Sequence, residues 1–149
     1  MDNWQFAQDF FKKKCQELSI KDWKLTINHA KRSMGMCVYN KKEVFLSSYL
    51  LQDNQQDNLQ KTLDNIQETI LHEIAHILAP GHAHDATWKA VAVSIGAIPK
   101  ACCNYSLDIK YTYYLLCPNN CLKVGYFRKP KMNKQCRQCL SKLILVYAN

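Results

Sequence analysis

Residues 69–89 read TILHEIAHILAPGHAHDATWK. Apolar residues recur at three- and four-residue spacing from about Leu59 onward, a period that is typical of an amphipathic helix. Pro80-Gly81 follows that pattern directly and predicts the end of the helix. The motif HEIAH, residues 72–76, is therefore expected to lie on a helix.

Histidines four residues apart lie on the same face of a helix. The imidazoles of His72 and His76 can therefore reach one zinc ion. Glu73 lies about 100° further around the helix, where its carboxylate can contact a water at the metal without being a ligand. The alternative is a structural role, in which two partly buried histidines bond to backbone carbonyls. The apolar helix ending in Pro-Gly favours the metal site.

A catalytic zinc site has three protein ligands and one open position. His82 and His84 follow the helix end closely, so the chain can turn back and present either of them to the metal. His29 lies among the predicted strands, and we expect a structural or surface role for it. The residues alone leave the choice between His82 and His84 open.

The stretch 69–89 resembles the active-site segment of SprT-like (Spartan-type) zinc metalloproteases. In that family a second helix carries the third ligand within a pattern H-G-x-x-W/F, which the spacing from His84 to Trp88 matches. The resemblance therefore implies His84 as the third ligand and His82 as the second choice. Asp85 stands where many relatives have Gly, and it could cap the second helix or orient a ligand histidine.

The resemblance extends upstream and downstream of the motif, over roughly residues 20–146. WKLTINHAKRSMGMCVY (23–39) and VFLS (44–47) resemble the strands that precede the helix in this family. The alternation of apolar and polar residues in this region predicts two or three short antiparallel strands. At the N-terminus, the spacing of apolar residues from Trp4 to Leu18 predicts an opening helix.

Two cysteine pairs near the end of the chain form a second candidate metal site. Cys117 and Cys121 are separated from Cys136 and Cys139 by 14 residues, and four thiolates in two pairs fit a closed, structural zinc site. The segment resembles the zinc ribbon that ends many SprT-like proteins. Disulfides are the alternative, but the N-terminus lacks the pattern of a secretory signal, so we expect an intracellular, reducing compartment, cytoplasm or nucleus.

The net charge of +8 is concentrated in that ribbon. Residues 1–116 contain 13 Lys and Arg against 12 Asp and Glu, whereas residues 117–149 contain seven Lys and Arg and no acid. A basic segment interleaved with aromatic rings is typical of nucleic-acid contact, with cations on phosphates and rings on unpaired bases. The predicted DNA-binding residues are Lys123, Tyr126, Phe127, Arg128, Lys129 and Lys131.

The fold class that follows is α+β. We expect a helical, zincin-like catalytic domain with a small antiparallel sheet over residues 1–109, and a β-rich zinc ribbon over residues 110–149. With 48% hydrophobic and 21% charged residues, the composition excludes wholesale disorder. The longest apolar stretch of the chain, residues 90–98, is too short to span a bilayer.

The resemblance implies a zinc-dependent endopeptidase that cleaves DNA-bound or DNA-crosslinked proteins and is stimulated by DNA. We expect a monomer with two zinc ions, one catalytic and one structural. Its partners would be DNA with single-stranded character and the proteins on it, not a membrane. Glu73 would be the general base. Two alternatives stay open: a non-proteolytic ribbon protein that binds nucleic acid, and a zinc peptidase that acts independently of DNA.

Overall fold

The computed structural model describes residues 2–52, 59–101 and 110–148. The chain divides into two compact units, Met1–Leu107 and Asp108–Asn149. The expected domain boundary at 109/110 lies at the end of a segment, 102–109, that is outside the described residues. Helices and small sheets together confirm the α+β class. Within the described ranges, no helix has both the length and the apolar character needed to cross a bilayer.

The first unit contains four described helices. The opening helix begins at Asn3, where Asp2 caps it by accepting a hydrogen bond from the Gln5 N–H. The long helix that carries the HExxH motif ends at Leu78, just before Pro80-Gly81. The helices are α1 (Asn3–Glu17), α2 (Ser48–Leu51), α3 (Leu59–Leu78) and α4 (Ala86–Ser94).

A three-stranded sheet packs against these helices. Its strands β1 (Lys24–Asn28), β2 (Gly35–Val38) and β3 (Glu43–Ser47) lie in the order β1-β3-β2. The predicted antiparallel pairing is correct for β2 with β3, but β1 and β3 run parallel. The chain reverses direction between β1 and β2 and reverses again between β2 and β3. Strand β3 therefore points in the same direction as β1, and it lies between β1 and β2 in the sheet.

Helix α3 has two buried faces. Ile66, Ile70 and Ile74, spaced four residues apart, are fully buried in a core with α1, α2 and β3. Leu71 and Ala75 lie about 100° around the helix and pack with α4. Burial of one such isoleucine contributes about 1.5–3 kcal/mol, so the rotation of α3 about its axis is strongly determined.

The second unit is a small antiparallel sheet with its own core. Strands β4 (Tyr113–Leu116), β5 (Lys123–Tyr126) and β6 (Ile144–Tyr147) lie in the order β5-β4-β6. Leu115 and Leu143 are buried there together with two of the cysteines. This core is far smaller than that of the first unit, as expected for a module that depends on a metal.

Gly35 allows β2 to approach α3 closely. A Cβ at this position would lie 2.7 Å from Glu73 Oε1 and 2.7 Å from Thr69 Cγ2. We therefore expect Gly35→Ala to lower the free energy of unfolding by about 1–3 kcal/mol through overpacking, despite the smaller backbone entropy of alanine in the unfolded chain. Urea denaturation followed by tryptophan fluorescence measures this, because all three tryptophans lie in the first unit.

Met36→Ala is the matched control for this substitution. Met36 is the next residue of β2 and is 44% exposed, so we expect it to cost less than about 1 kcal/mol. Equal stability of Gly35→Ala and the unsubstituted protein would contradict the close approach of β2 to α3.

Candidate metal centres

Three histidine side chains of the first unit meet at one point. His72 and His76 lie on the last turns of α3, and the Nε2 atom of His84 is 3.0 Å from the Nε2 atom of each. Among the described residues of this unit, this is the cluster whose atoms could hold a metal ion. Three histidine ligands leave one position of a tetrahedral ion open to a non-protein ligand.

The chemistry of these donors fits zinc. Nitrogen atoms at 2.0–2.1 Å from a tetrahedral zinc are about 3.3 Å apart, close to the 3.0 Å separations seen here. Burial, together with the charges of His76 and His84, lowers the pKa of His72 to about 4. The imidazole is therefore neutral at pH 7, the protonation state that binds a metal.

The turn after α3 decides which histidine joins this cluster. Gly81 and His84 both adopt left-handed φ values, 80° and 57°, and these bring His84 back to the end of α3. His82 points elsewhere: its Nδ1 is 2.6 Å from Asp85 Oδ2. The structure thus brings His84, and not His82, to His72 and His76.

Asp85 performs the capping role that its position suggested. Its Oδ1 accepts a hydrogen bond of 3.0 Å from the Trp88 N–H, which satisfies a free donor in the first turn of α4. That bond, followed by the bond from His82, lowers the pKa of Asp85. The start of α4 is therefore well determined although Asp85 replaces a glycine of the family pattern.

Trp88 forms the floor of the histidine cluster. It is fully buried, and its ring centroid lies 4.8, 5.2 and 4.6 Å from those of His72, His76 and His84. The sequence identified Trp88 only through its spacing from His84. In the structure it restricts the orientation of all three imidazoles, since each packs against the indole.

Glu73 faces the strand side of the site. It is 6% exposed, and burial raises its pKa to about 7. Cys37 lies close enough for the Glu73 charge to contribute, after burial, to raising the pKa of that thiol to about 12. Tyr39 donates its hydroxyl hydrogen to the main-chain carbonyl of His76 and so ties the strand region to the end of α3.

The contact between Gly35 and Glu73 was not predicted from the sequence, and neither was the position of Cys37 and Tyr39 near the site. The available signal was the strand period, which places Gly35 and Cys37 on one face of β2. Which face meets α3 depends on tertiary packing. His29, as expected, lies outside the cluster, with its Nδ1 2.9 Å from Ser48 Oγ.

In the second unit, four cysteines converge. The sulfur atoms of Cys117, Cys121, Cys136 and Cys139 lie within 4.8 Å of one another, and the Cys117 and Cys139 sulfurs are 3.4 Å apart. All four are free thiols. Sulfurs at 2.3 Å from a tetrahedral zinc are about 3.8 Å apart, so the set fits a closed four-thiolate site.

The turns that carry these cysteines explain the convergence. Asn120 and Leu140 adopt left-handed φ values of 57° and 61°; Asn120 directly precedes Cys121, and Leu140 directly follows Cys139. Asn119 Nδ2 donates hydrogen bonds to Cys139 Sγ (3.5 Å) and Ser141 Oγ (3.1 Å), which links the two pairs. Hydrogen bonds, first from Ser141 and then from Asn119, lower the pKa of Cys139 to about 5, which favours its metal-binding thiolate form.

The predicted DNA-binding residues differ in their surroundings. Arg128, Lys129 and Lys131 are exposed. Lys123 is exposed too, with its Nζ 4.5 Å from the centre of the Tyr114 ring. The two aromatic residues of the set are half-buried. Lys134 covers the ring of Tyr126 and donates to its hydroxyl oxygen at 3.2 Å, and Phe127 packs on Tyr111 with 4.7 Å between ring centroids.

A buried glutamate next to two histidines of a helical HExxH motif, with a third histidine from the following turn, defines a candidate metal centre of the HExxH class. The pattern of the SprT-like family matches residues 4–108, and the chain belongs to that family. Membership suggests a zinc metallopeptidase-like function. Neither a curated protein nor a solved structure matches the chain significantly.

The stability of the metal-free protein should report the burial of Glu73. The folded-state pKa of about 7 exceeds the ordinary value of 4.5, so the contribution of this group to stability is present at low pH and is lost as the pH rises from about 4.5 to 7. We compare the free energy of unfolding of Glu73→Gln with that of the unsubstituted chain. As the pH rises from 4 to 8, we expect this difference to shift by about 2–3 kcal/mol in favour of Glu73→Gln. Urea denaturation with a chelator present, followed by tryptophan fluorescence, measures the difference.

His72 titrates in the opposite sense. The pKa of His72 is lowered in the folded protein, so the contribution of its neutral form to the free energy of unfolding is lost as the pH falls from about 6.5 to 4. Both proteins carry His72, so this effect cancels in the difference between them. A difference that stays constant between pH 4 and pH 8 would show that Glu73 is not buried as described.

Two substitutions distinguish the candidate third ligand from its neighbour. We expect two zinc ions per chain in the unsubstituted protein and in His82→Ala. His84→Ala should weaken binding at the first site more than about 100-fold, since it removes a direct ligand. Zinc content after dialysis against a weak chelator measures this. Equal zinc content in the two variants would exclude His84 as a ligand.

Proposed function

We propose that the chain is a zinc-dependent endopeptidase that cleaves proteins bound to or crosslinked with DNA, and that its basic ribbon binds the DNA. The observation that carries the proteolytic part is the buried Glu73 carboxylate beside the cluster of three histidines. Membership in the SprT-like family supports the same reaction class. The concentration of positive charge in the ribbon supports the choice of DNA.

The proposed mechanism is hydrolysis of a peptide bond by water. Zinc, when bound by His72, His76 and His84, would acidify water and polarise the scissile carbonyl. Glu73 accepts the proton of the attacking water and later delivers it to the leaving amine. In the metal-free protein, burial raises the pKa of Glu73 to about 7, and a carboxylate that is more basic than usual accepts a proton from water more readily.

The edge strand β2 offers a place for the substrate chain. Among the described strands, β2 lies at one edge of its sheet, and at Gly35 it packs closely against Glu73. An extended peptide can pair with the free edge of β2 and thereby present one of its carbonyls to the metal centre. Such pairing uses main-chain hydrogen bonds, so it accommodates substrates of many different sequences.

The proposed DNA contact rests on the exposed cations of the ribbon. Arg128, Lys129 and Lys131 form no ion pair with any residue in the described ranges, and residues 117–149 contain no carboxylate side chain. Their charges are therefore available to phosphates. Tyr126 and Phe127 are half-buried, so each ring can offer a base only part of its surface. We assign most of the binding free energy to the cations.

Cleavage of a protein crosslinked to a single-stranded oligonucleotide tests the proteolytic part. We expect Glu73→Gln to lower the rate at least about 100-fold, because it removes the general base, and to leave the zinc content at two ions per chain. His82→Ala is the control and should cleave at the unsubstituted rate. Normal cleavage by Glu73→Gln would overturn the mechanism, and DNA binding without any cleavage would favour the non-proteolytic alternative.

The contribution of DNA is tested by neutralising cations. Lys129→Gln/Lys131→Gln should bind single-stranded DNA more weakly and lower the salt dependence of log K by about 1.4, the release of two counterions. Its cleavage of the crosslinked substrate should fall in parallel. Lys13→Gln/Lys21→Gln makes the same charge change on the first unit and should behave as the unsubstituted chain. Cleavage that does not depend on DNA would favour a general peptidase.

A further inference from the structure

A groove runs between α1 and β1 and shares no residue with the histidine cluster. Its volume is about 490 Å³, within the range of sites that bind small ligands or short peptide segments. Five of its residues come from one face of α1, with the i, i+4 spacing of a helical stripe. The lining residues are Gln8, Phe11, Lys12, Cys15, Gln16, Ile20, Trp23, Lys24, Leu25 and Thr26.

One wall of the groove is a free strand edge. β1 ends the sheet on this side among the described strands. The Lys24 N–H donates to the Lys42 carbonyl, within the β1–β3 pairing. Because successive residues of a strand direct their backbone groups to opposite sides, those of Leu25 and Ile27 face away from β3. Among the described strands, none pairs with this edge of β1.

The charges in the groove have one sign. Lys12 and Lys24 are exposed, and neither forms an ion pair with a residue that the structure describes. None of the lining residues is acidic. Below the cations, Phe11 is buried and Trp23 is half-buried, so the floor is apolar. The site therefore combines an apolar floor, two cations and unpaired backbone groups.

We propose that this groove binds an extended peptide segment with alternating acidic and apolar side chains, which adds to the sheet as a strand alongside β1. The apolar side chains pack on the floor formed by Phe11 and Trp23, and the acidic ones meet Lys12 and Lys24. A strand occupies a cross-section of about 48 Å², from spacings of about 4.8 Å between strands and 10 Å between sheets. The groove thus holds about 10 Å of strand, or about three residues.

The free edge of β1 favours a peptide over a nucleic acid. A nucleic-acid strand would satisfy the two cations but would leave the N–H and C=O groups of Leu25 and Ile27 without partners from its backbone. A peptide satisfies both features at once. The groove does not use the metal or Glu73, so this binding is independent of the proposed proteolysis.

Fluorescence anisotropy with a labelled peptide on the full chain tests the proposal, with Glu73→Gln used so that the probe is not cleaved. The probe is Glu-Val-Glu-Phe-Glu-Val-Glu, with the fluorophore attached to its N-terminal amine and its C-terminus amidated. We expect it to bind at least tenfold more tightly than the same peptide with Lys in place of Glu. Equal binding of the two peptides would overturn the charge assignment.

Backbone methylation of the probe tests the strand addition. Only alternate N–H groups of an added strand face β1. We compare two analogues, one N-methylated at residues 2, 4 and 6 and the other at residues 3 and 5. One analogue should bind at least tenfold more weakly than the unmethylated probe, and the affinity of the other should stay within threefold of it. Equal losses, or no loss in either analogue, would exclude pairing with β1.

Matched lysine variants locate the peptide. Lys12→Gln/Lys24→Gln should weaken binding of the acidic probe about three- to tenfold, as expected for two exposed ion pairs. Lys13→Gln/Lys21→Gln should leave it unchanged. All four residues are exposed, so both variants should fold. Equal affinities of the two variants would overturn the site. Displacement of the probe from the groove by oligo(dT), with the same dependence on Lys12 and Lys24, would instead assign it to nucleic acid.

Discussion

The packing of α3 determines where the candidate site residues of the first unit lie. One side of this helix is buried against α1, α2 and β3, and a second side, about 100° further around, is buried against α4. The positions that remain are His72 and His76, with Glu73 beside them facing β2. A rotation of α3 by one residue would move an isoleucine to the metal centre and a histidine into the core. The hydrophobic core therefore positions the chemistry.

Burial of Glu73 disfavours the charged carboxylate. This lowers the stability of the folded protein at neutral pH and makes the carboxylate a stronger base. The approach of β2 at Gly35 removes water from the carboxylate, and this raises its pKa to about 7. A surface glutamate would be more easily accommodated but would be a weaker base at neutral pH. Tyr39, bonded to the carbonyl of His76, connects the same strand region to the end of α3. The sheet thus contributes to the site through its distance from the helix, without donating a metal ligand.

Local patterns predicted most of the site. His72, Glu73 and His76 follow from one helical turn, and the four cysteines follow from two short spacings. Choosing His84 over His82 required the family resemblance, because the outcome depends on the left-handed turn and on Asp85 holding His82. The parallel pairing of β1 and β3 and the contact between Gly35 and Glu73 join residues distant in sequence. No periodicity within one segment encodes such contacts, so the sequence predicted the strands but not their arrangement.

The ribbon shows how a metal can make a charged module possible. Residues 117–149 contain seven cations and no acidic side chain, and the buried core of the ribbon includes only a few side chains. Such a core cannot offset both chain entropy and mutual repulsion of the cations. Four thiolates holding one zinc ion would carry about two negative charges at the centre of this unit. Such a site would tie the strands together and place negative charge where it counters the repulsion, while the exposed cations keep their positive field toward solvent.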